Sequence, residues 1–279
     1  MPTTSKNTPM NFLEKNILDI RHLDTLARGR TLVHRLDPRA KLLTTLCFLF
    51  MVVSVDKYAI AQLFPFLLYP VALVALGNLP VGYFFRKIAM VAPFAVLLGM
   101  FNPLLDRAVL LHLGPLAVSG GWLSFISLLL RFVLTVGTAL VLIAITSFNG
   151  LCLALERLRV PRIFAVQLLF LYRYIFVLLD EARRMTRART LRALAHRGPG
   201  LKTFGSLIGH LLLRATDRAE RIHLAMRCRG FDGHIRLLTT PAFSSGDALF
   251  LVGWSSFFLL CRLYNVPELL GRAALEVVR

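Results

Sequence analysis

The chain has 279 residues, 56% of them hydrophobic and 17% charged, whereas an average soluble domain is about 45–50% apolar and about 25% charged. Thirty-three Lys and Arg stand against fifteen Asp and Glu, a net charge of +18. A chain this apolar and this basic is excluded as an ordinary soluble domain and reads as an integral membrane protein with a positive cytosolic face.

Residues 1–41 form a mixed polar and basic lead with no cleavable-signal pattern, ending in His34-Arg35-Leu36-Asp37-Pro38-Arg39-Ala40-Lys41. Apolar runs follow over 42–55 and 58–77, then the turn signals Asn78 and Pro80 and the pair Arg86-Lys87. A third run covers 88–105. After Asp106-Arg107 a semi-apolar stretch leads to Ser119-Gly120-Gly121, and a fourth run covers 122–146, interrupted only by Arg131. A last run covers 248–263. A spanning helix needs roughly 17–25 residues, so the first run suffices only if it begins near Ala40. The expected organisation is a cytosolic segment 1–40, four spans in 41–147, a cytosolic helical block 148–240, and a final span with its tail in 241–279.

The stretch 163–179 is also apolar, and charge parity decides its placement. Arg86-Lys87 and the group Arg157, Arg159 and Arg162 mark two loops as cytosolic. Residues 181–236 carry thirteen basic residues against four acidic ones, half of the chain's positive excess. A crossing at 163–179 would put that block on the wrong side. It would also bury Arg173, at roughly 2.5–3.5 kcal/mol on insertion scales. The stretch is therefore expected not to span.

Two long helices dominate the basic block. One runs from Pro161 toward His196 and ends before Gly198-Pro199-Gly200. The other runs from Thr203 to Arg229, with Phe204, Ile208, Leu211, Ala215, Ala219, Ile222 and Met226 on one stripe. Arg214, Asp217, Arg218 and Arg221 read as its solvated face. Arg229 follows Met226 by three residues and returns to the stripe, just before the C-capping candidate Gly230. In the first helix Leu178, Ala182 and Met185 form a stripe that Arg189 continues. Each arginine is either a cation answering the helix dipole or a rigid fork held for a carboxylate on a partner protein.

The segment from His34 to Leu42 resembles the N-terminal signature of the T component (EcfT) of energy-coupling-factor transporters. Ala225-Met226-Arg227-Cys228-Arg229-Gly230-Phe231-Asp232-Gly233 resembles the second of that family's two Ala-Arg-Gly motifs, in the form of the cobalt branch, the CbiQ proteins. Ala188-Arg189-Thr190 best matches the first. Cys228 replaces the usual Ala and Thr190 the usual Gly, but both arginines are kept. The resemblance implies an all-α membrane protein with about five transmembrane helices and a cytosolic domain of two long crossing helices. It implies a non-catalytic coupling subunit of an ATP-driven importer for cobalt, or alternatively for nickel or a vitamin. Its implied partners are the lipid bilayer, two ABC-type, CbiO-like ATPase subunits and a CbiM-like substrate-binding membrane subunit with a small CbiN-like one. ATP with Mg and the cobalt ion would be held by those partners, with no cofactor in this chain, in a bacterial inner membrane. The coupling residues it implies are Ala188, Arg189, Thr190, Cys228, Arg229 and Gly230.

The remaining candidates carry less. His34, Asp37, Pro38 and Arg39 are expected to order the approach to the first span, since Pro38 holds Asp37 extended. The histidines (His22, His34, His112, His196, His210, His223 and His234) show no ligand spacing, and Cys47, Cys152, Cys228 and Cys261 form no CxxC pair, so no metal site is expected. Without GxxxxGK[ST] the chain is not expected to bind ATP. The basic block has no nucleic-acid-reading motif or interleaved aromatics, which leaves nucleic-acid binding a remote alternative. Arg131 and Arg173 stand in apolar runs without an evident partner in the sequence.

Overall fold

The structure, a computed structural model, describes residues 23–27, 29, 31–105, 109–113, 116–192, 200–233 and 243–264. It consists of helices α1 (Pro38–Ser54), α2 (Ile60–Gly77, with a 3-10 turn at Pro65–Leu67), α3 (Val81–Gly99), α4 (Gly120–Ile145), α5 (Phe148–Arg157), α6 (Arg162–Arg192), α7 (Leu201–Cys228) and α8 (Ser245–Leu263), with shorter turns at Leu32–Arg35 and Phe101–Leu105. The exception to helix is a two-stranded antiparallel hairpin, β1 (Val109–Leu113) and β2 (Leu116–Ser119), in what reads as a merely semi-apolar stretch. The chain divides into two compact units, one of residues 23–154 and 241–279, the other of residues 1–22 and 155–240.

Local rules account for the helix ends in the first unit. Pro38 occupies the first helical turn of α1, where its missing N–H costs nothing, and Asp37 caps that turn through its carboxylate. Asn78 ends α2 in the left-handed conformation, at φ 49°. Ser244 and Asp247 form a reciprocal capping box at the start of α8. One boundary differs from the sequence reading: α3 begins at Val81, so Arg86 and Lys87 lie within its second turn rather than in a loop. The extended residue Pro80 sets the start, and Lys87 lies 5.7 Å from the Tyr83 ring one turn back.

In this unit α1 packs against both α4 and α8, and α3 against α4. The centre is aromatic. Phe48 of α1, Phe66 and Tyr69 of α2 and Phe258 of α8 are fully buried, with ring centroids 5.0 Å (Phe48–Tyr69), 5.2 Å (Tyr69–Phe258) and 5.3 Å (Phe48–Phe258) apart. Thr45 and the Tyr69 hydroxyl share a buried hydrogen bond of 3.0 Å. In lipid, helices gain little from hydrophobic burial against one another, so such packing and internal polar bonds carry the association. Gly99 lets α3 close on α4, because a Cβ there would lie 2.8 Å from the Phe125 ring.

Five helices are long and apolar enough to cross a membrane: Ile60–Gly77, Val81–Pro103, Gly120–Ile145, Arg162–Arg192 and Ser245–Leu263. This is not the expected set. With 17 residues α1 is shorter than these, and α6 meets the criterion of length and composition although charge parity reads 163–179 as non-spanning.

In the second unit α6 and α7 pack on each other. Leu178 and Glu181 share a cleft with Arg214, Ala215 and Arg218, while Met185 and Arg189 share another with Thr203, Leu207 and His210. Rising numbers on α6 meet falling numbers on α7, so the pair is antiparallel. The half-buried stripe of α7 is Thr203, Leu207, Leu211, Ala215, Ile222 and Met226. Phe204 and Ile208, expected on it, are about half exposed. The expected helix end around His196 and Gly198-Pro199 lies outside the described residues, as do the lead 1–22, Asp106-Arg107 and the tail from 265.

Candidate functional site

Two groups of residues singled out in the sequence occupy defined places. The first is the segment from His34 to Lys41. Its Asp37 carboxylate accepts the Arg39 backbone N–H at 2.8 Å, and the Asp37 N–H donates to the Asp247 carboxylate, also at 2.8 Å. The other Asp247 oxygen accepts the Ser244 N–H at 2.8 Å. Arg39 approaches the Asp37 carboxylate at 3.5 Å. Lys41, only 2% exposed, donates from Nζ to the Ile145 carbonyl at 2.9 Å and to the His34 carbonyl at 3.4 Å. Asp247 and Asp37 both attract its charge. Three helix ends are thereby tied together: the N-terminus of α1, the C-terminus of α4 and the N-terminus of α8. Cations at a C-terminal carbonyl and carboxylates at N-termini match the dipole in each case.

His34 holds the turn before α1. Its Nε2 lies 3.0 Å from the Leu26 carbonyl, which can only accept, so Nε2 carries the hydrogen and Nδ1 accepts from the Thr31 hydroxyl at 2.7 Å. Burial, and secondarily the Lys41 charge, keep the imidazole below its usual pKa, against backbone hydrogen bonds that work in the other direction. His34, Asp37, Pro38 and Arg39 thus lie together at the approach to α1. Lys41 and Asp247 complete the group and were missed. Asp247 is separated from Asp37 by 210 positions, and the signal that could have found it is the Ser244-x-x-Asp247 cap before an apolar run.

The second group lies on α6 and α7. Arg189 is half-buried in the cleft of 640 Å³ that Arg184, Arg192, His210 and Arg214 also line, with Glu181 its one acid. Ala188 and Thr190 flank it on the exposed side, and the Thr190 hydroxyl donates to the Arg187 carbonyl at 2.8 Å. Arg187 is exposed and does not line the cleft. Glu181 and Arg214 form an ion pair across the two helices. Arg229 stands at the far end of α7. It is exposed and caps the helix rather than continuing a buried stripe. Gly230 follows at φ +75°, its N–H donating to the Arg227 carbonyl at 3.0 Å, while the Phe231 N–H donates to the Met226 carbonyl at 3.0 Å. These two bonds are those of a Schellman ending, which explains why glycine sits there. Cys228 is exposed with a free thiol. The motif arginines are therefore not brought together. From Thr203 and Leu207, beside Arg189, to Arg229 is about 35 Å along the helix.

Arg131 has a structural partner: its Nη2 donates to the Asp56 carbonyl at 2.6 Å, and Arg262 donates similarly to the Ser54 carbonyl at 2.9 Å. Both cap the C-terminal end of α1. Among the described residues no three His, Cys, Asp or Glu side chains are grouped as metal ligands require.

Comparison with known proteins matches residues 29–240 to the family model CbiQ, described as cobalt transport protein. The chain belongs to the CbiQ family. Relatives agree. The energy-coupling factor transporter transmembrane protein EcfT of Heliobacterium modesticaldum is 30% identical over 256 residues, covering 84% of this chain and 93% of that protein. EcfT of Bacillus subtilis is 28% identical over 228 residues, 74% of this chain and 82% of that protein. The cobalt transport protein CbiQ of Rhodobacter capsulatus is 37% identical, but over 100 residues, 35% of this chain and 41% of that one. The CbiQ match takes in the His34–Lys41 segment and both arginine motifs, and ends before Asp247. The chain is thus a T component of the energy-coupling-factor type, a multi-pass, helical membrane protein with a transport-coupling role.

Proposed function

We propose that this chain is the coupling subunit of an ATP-driven cobalt importer. Arg189 and Arg229 are its contacts to two CbiO-like ATPase subunits. The observation that carries the reading is the antiparallel pair α6 and α7, held by the Glu181–Arg214 ion pair, with its two motif ends about 35 Å apart. That separation suits one arginine to each ATPase rather than both to one. An arginine fork at an exposed helix end, or in a cleft with four basic neighbours, favours a carboxylate from outside. ATP and Mg are bound by the ATPases, and closure of the ATPase pair displaces the two helix ends. The movement passes to a CbiM-like membrane subunit, accompanied by a CbiN-like one, that holds the cobalt ion. The chain itself carries out no catalysis. Its N-terminus and residues 148–240 face the cytosol of a bacterial inner membrane, and the apolar half of α6 lies against that membrane rather than across it.

Cobalt is favoured by the description of the matched family. Nickel or a vitamin as cargo is the second reading, favoured by the long-coverage relatives whose names specify energy coupling without a metal. The deciding experiment is purification of the complex in mild detergent with mass spectrometry of what accompanies the chain. Under the proposal two ATPases and a metal-binding membrane subunit co-purify, and the double variant Arg189→Glu, Arg229→Glu loses the ATPases while Arg218→Glu retains them. Undiminished ATPase association and uptake in the double variant would refute the assignment of these arginines.

A further inference from the structure

The membrane-embedded unit contains a polar recess that the coupling role does not use. A cavity of 470 Å³ is lined by Lys57 and Tyr58 from the turn between α1 and α2, by Asn102, and by Ser124, Ser127, Leu128 and Arg131 on one face of α4. Ser124 is 5% exposed and Ser127 1% exposed, yet neither hydroxyl has a hydrogen-bond partner among the described residues, nor does the buried Nε of Arg131. The contrast with the rest of α4 is informative. Serine and threonine in spanning helices ordinarily bond back to a carbonyl one turn earlier, as Thr135 does to Arg131 at 2.8 Å and Thr138 to Leu134 at 2.6 Å. Ser124 and Ser127 do not, and they line the recess instead.

The recess is also deep. Arg131 lies eleven residues from Gly120 and fourteen from Ile145, or about 16 and 21 Å along the helix. If α4 crosses the bilayer, the recess runs from the exposed α1–α2 turn past Ser124 and Ser127 to Arg131 near the middle of α4, where hydrocarbon cannot satisfy its inner polar groups. The lining offers many donors: the Arg131 guanidinium, the Lys57 ammonium, three hydroxyls and the Asn102 amide. Among the described residues the lining contains no carboxylate. Arg131 spends one N–H on the Asp56 carbonyl and feels that residue's charge, but its buried Nε faces the cavity beside the two serine hydroxyls, and Lys57 stands at the rim. Such a site selects an anion rich in acceptor oxygens.

We propose that this recess binds a phosphate group, as carried by an anionic phospholipid headgroup or by a soluble phosphate. The volume accommodates a headgroup with its glycerol, and the serine pair on α4 supplies neutral donors that are unpartnered among the described residues. The proposal does not depend on which cargo the transporter carries.

The test uses the full chain in its complex, delipidated in mild detergent and probed with phosphatidylglycerol, with a neutral glycolipid that lacks phosphate, and with inorganic phosphate. Native mass spectrometry and thermal shift are the readouts. Phosphatidylglycerol should bind and raise the melting temperature while the glycolipid does not. The double variant Ser124→Ala, Ser127→Ala, whose hydroxyls hold nothing in the protein, should melt unchanged without lipid but bind about tenfold more weakly or worse. Lys57→Gln, on the exposed turn, gives a second variant that should weaken binding without touching α4. Competition by inorganic phosphate identifies a site open to soluble phosphates, and its failure to compete identifies a lipid site. The proposal is overturned if neither phosphate probe binds, if the glycolipid binds equally well, or if both variants bind as the parent does.

Discussion

Replacing Lys41 by methionine keeps its length and apolar stem but removes the ammonium from the junction of α1, α4 and α8. The Ile145 carbonyl loses a 2.9 Å donor and two buried acids, Asp37 and Asp247, lose a cation they share. Removing one partner from a buried charge group costs about 3–5 kcal/mol, because the remaining charge stays desolvated. At about 2–4 °C per kcal/mol for a chain of this size, the melting temperature should fall by about 6–20 °C. Trp254, whose ring centroid is 5.0 Å from that of Tyr69 in the aromatic centre, provides the fluorescence signal in detergent. Asp247→Asn removes the matching charge while keeping one acceptor oxygen for the Asp37 N–H. The double variant should be less unstable than the sum of the singles by about 1–3 kcal/mol, the coupling expected of buried charges in one network. A melting temperature within about 2 °C of the parent for Lys41→Met, or strictly additive losses in the cycle, would refute the view that this lysine ties the helix ends.

Stability should also respond to pH through His34. Its folded pKa lies below the ordinary 6.5, by burial first and by Lys41 second, so the unfolded chain takes up the proton more readily. Stability is full above 6.5 and declines as pH falls below it, and a pH series of melts should flatten in this window for His34→Gln. Glycine substitutions in α7 should move in opposite directions. Gly205→Ala and Gly209→Ala, in helical positions with open space around them, should each stabilise by about 0.5–1 kcal/mol, whereas Gly230→Ala, at φ +75°, should cost about 1–2 kcal/mol; hydrogen exchange of the α7 amides reads both. A cysteine introduced by Arg192→Cys, in a parent with Cys228→Ser, should react with an impermeant thiol reagent from the cytosolic side alone, and labelling from outside would place α6 across the membrane.

How much of this was legible beforehand depended on whether the signal was local. The ends of α1, α2 and α7 follow from Pro38, Asn78 and Gly230, whose backbone preferences act within a few residues. The spans follow from runs of apolar residues, and the resemblance to the T component rested on two short strings. The partners of the charged groups were invisible because they are remote in sequence: Lys41 with Ile145, Asp37 with Asp247, Arg131 with Asp56. The packed stripe of α7 runs as expected through Leu211, Ala215, Ile222 and Met226 but is displaced by one position in its first two turns. Helical periodicity marks a broad apolar face, and only the neighbouring helix decides that Thr203 and Leu207 lie inward while Phe204 and Ile208 stay exposed. The hairpin carries a local turn signal, Gly114-Pro115 between two apolar runs, but runs of four or five residues are too short for periodicity to mark as strand.

The shortness of α1 has a consequence for the surrounding lipid. Seventeen residues give a length of about 25 Å, some 5 Å less than a typical hydrocarbon layer. Where α1 crosses the bilayer, the acyl chains beside it shorten to meet it, at a fraction of a kcal/mol per ångström of mismatch. This strain is relieved when a second short-helixed protein settles into the same thinned patch, since one deformed ring of lipid then serves both. A membrane partner would accordingly be drawn toward this side of the chain before any side chains meet, and a thicker bilayer would strengthen the attraction.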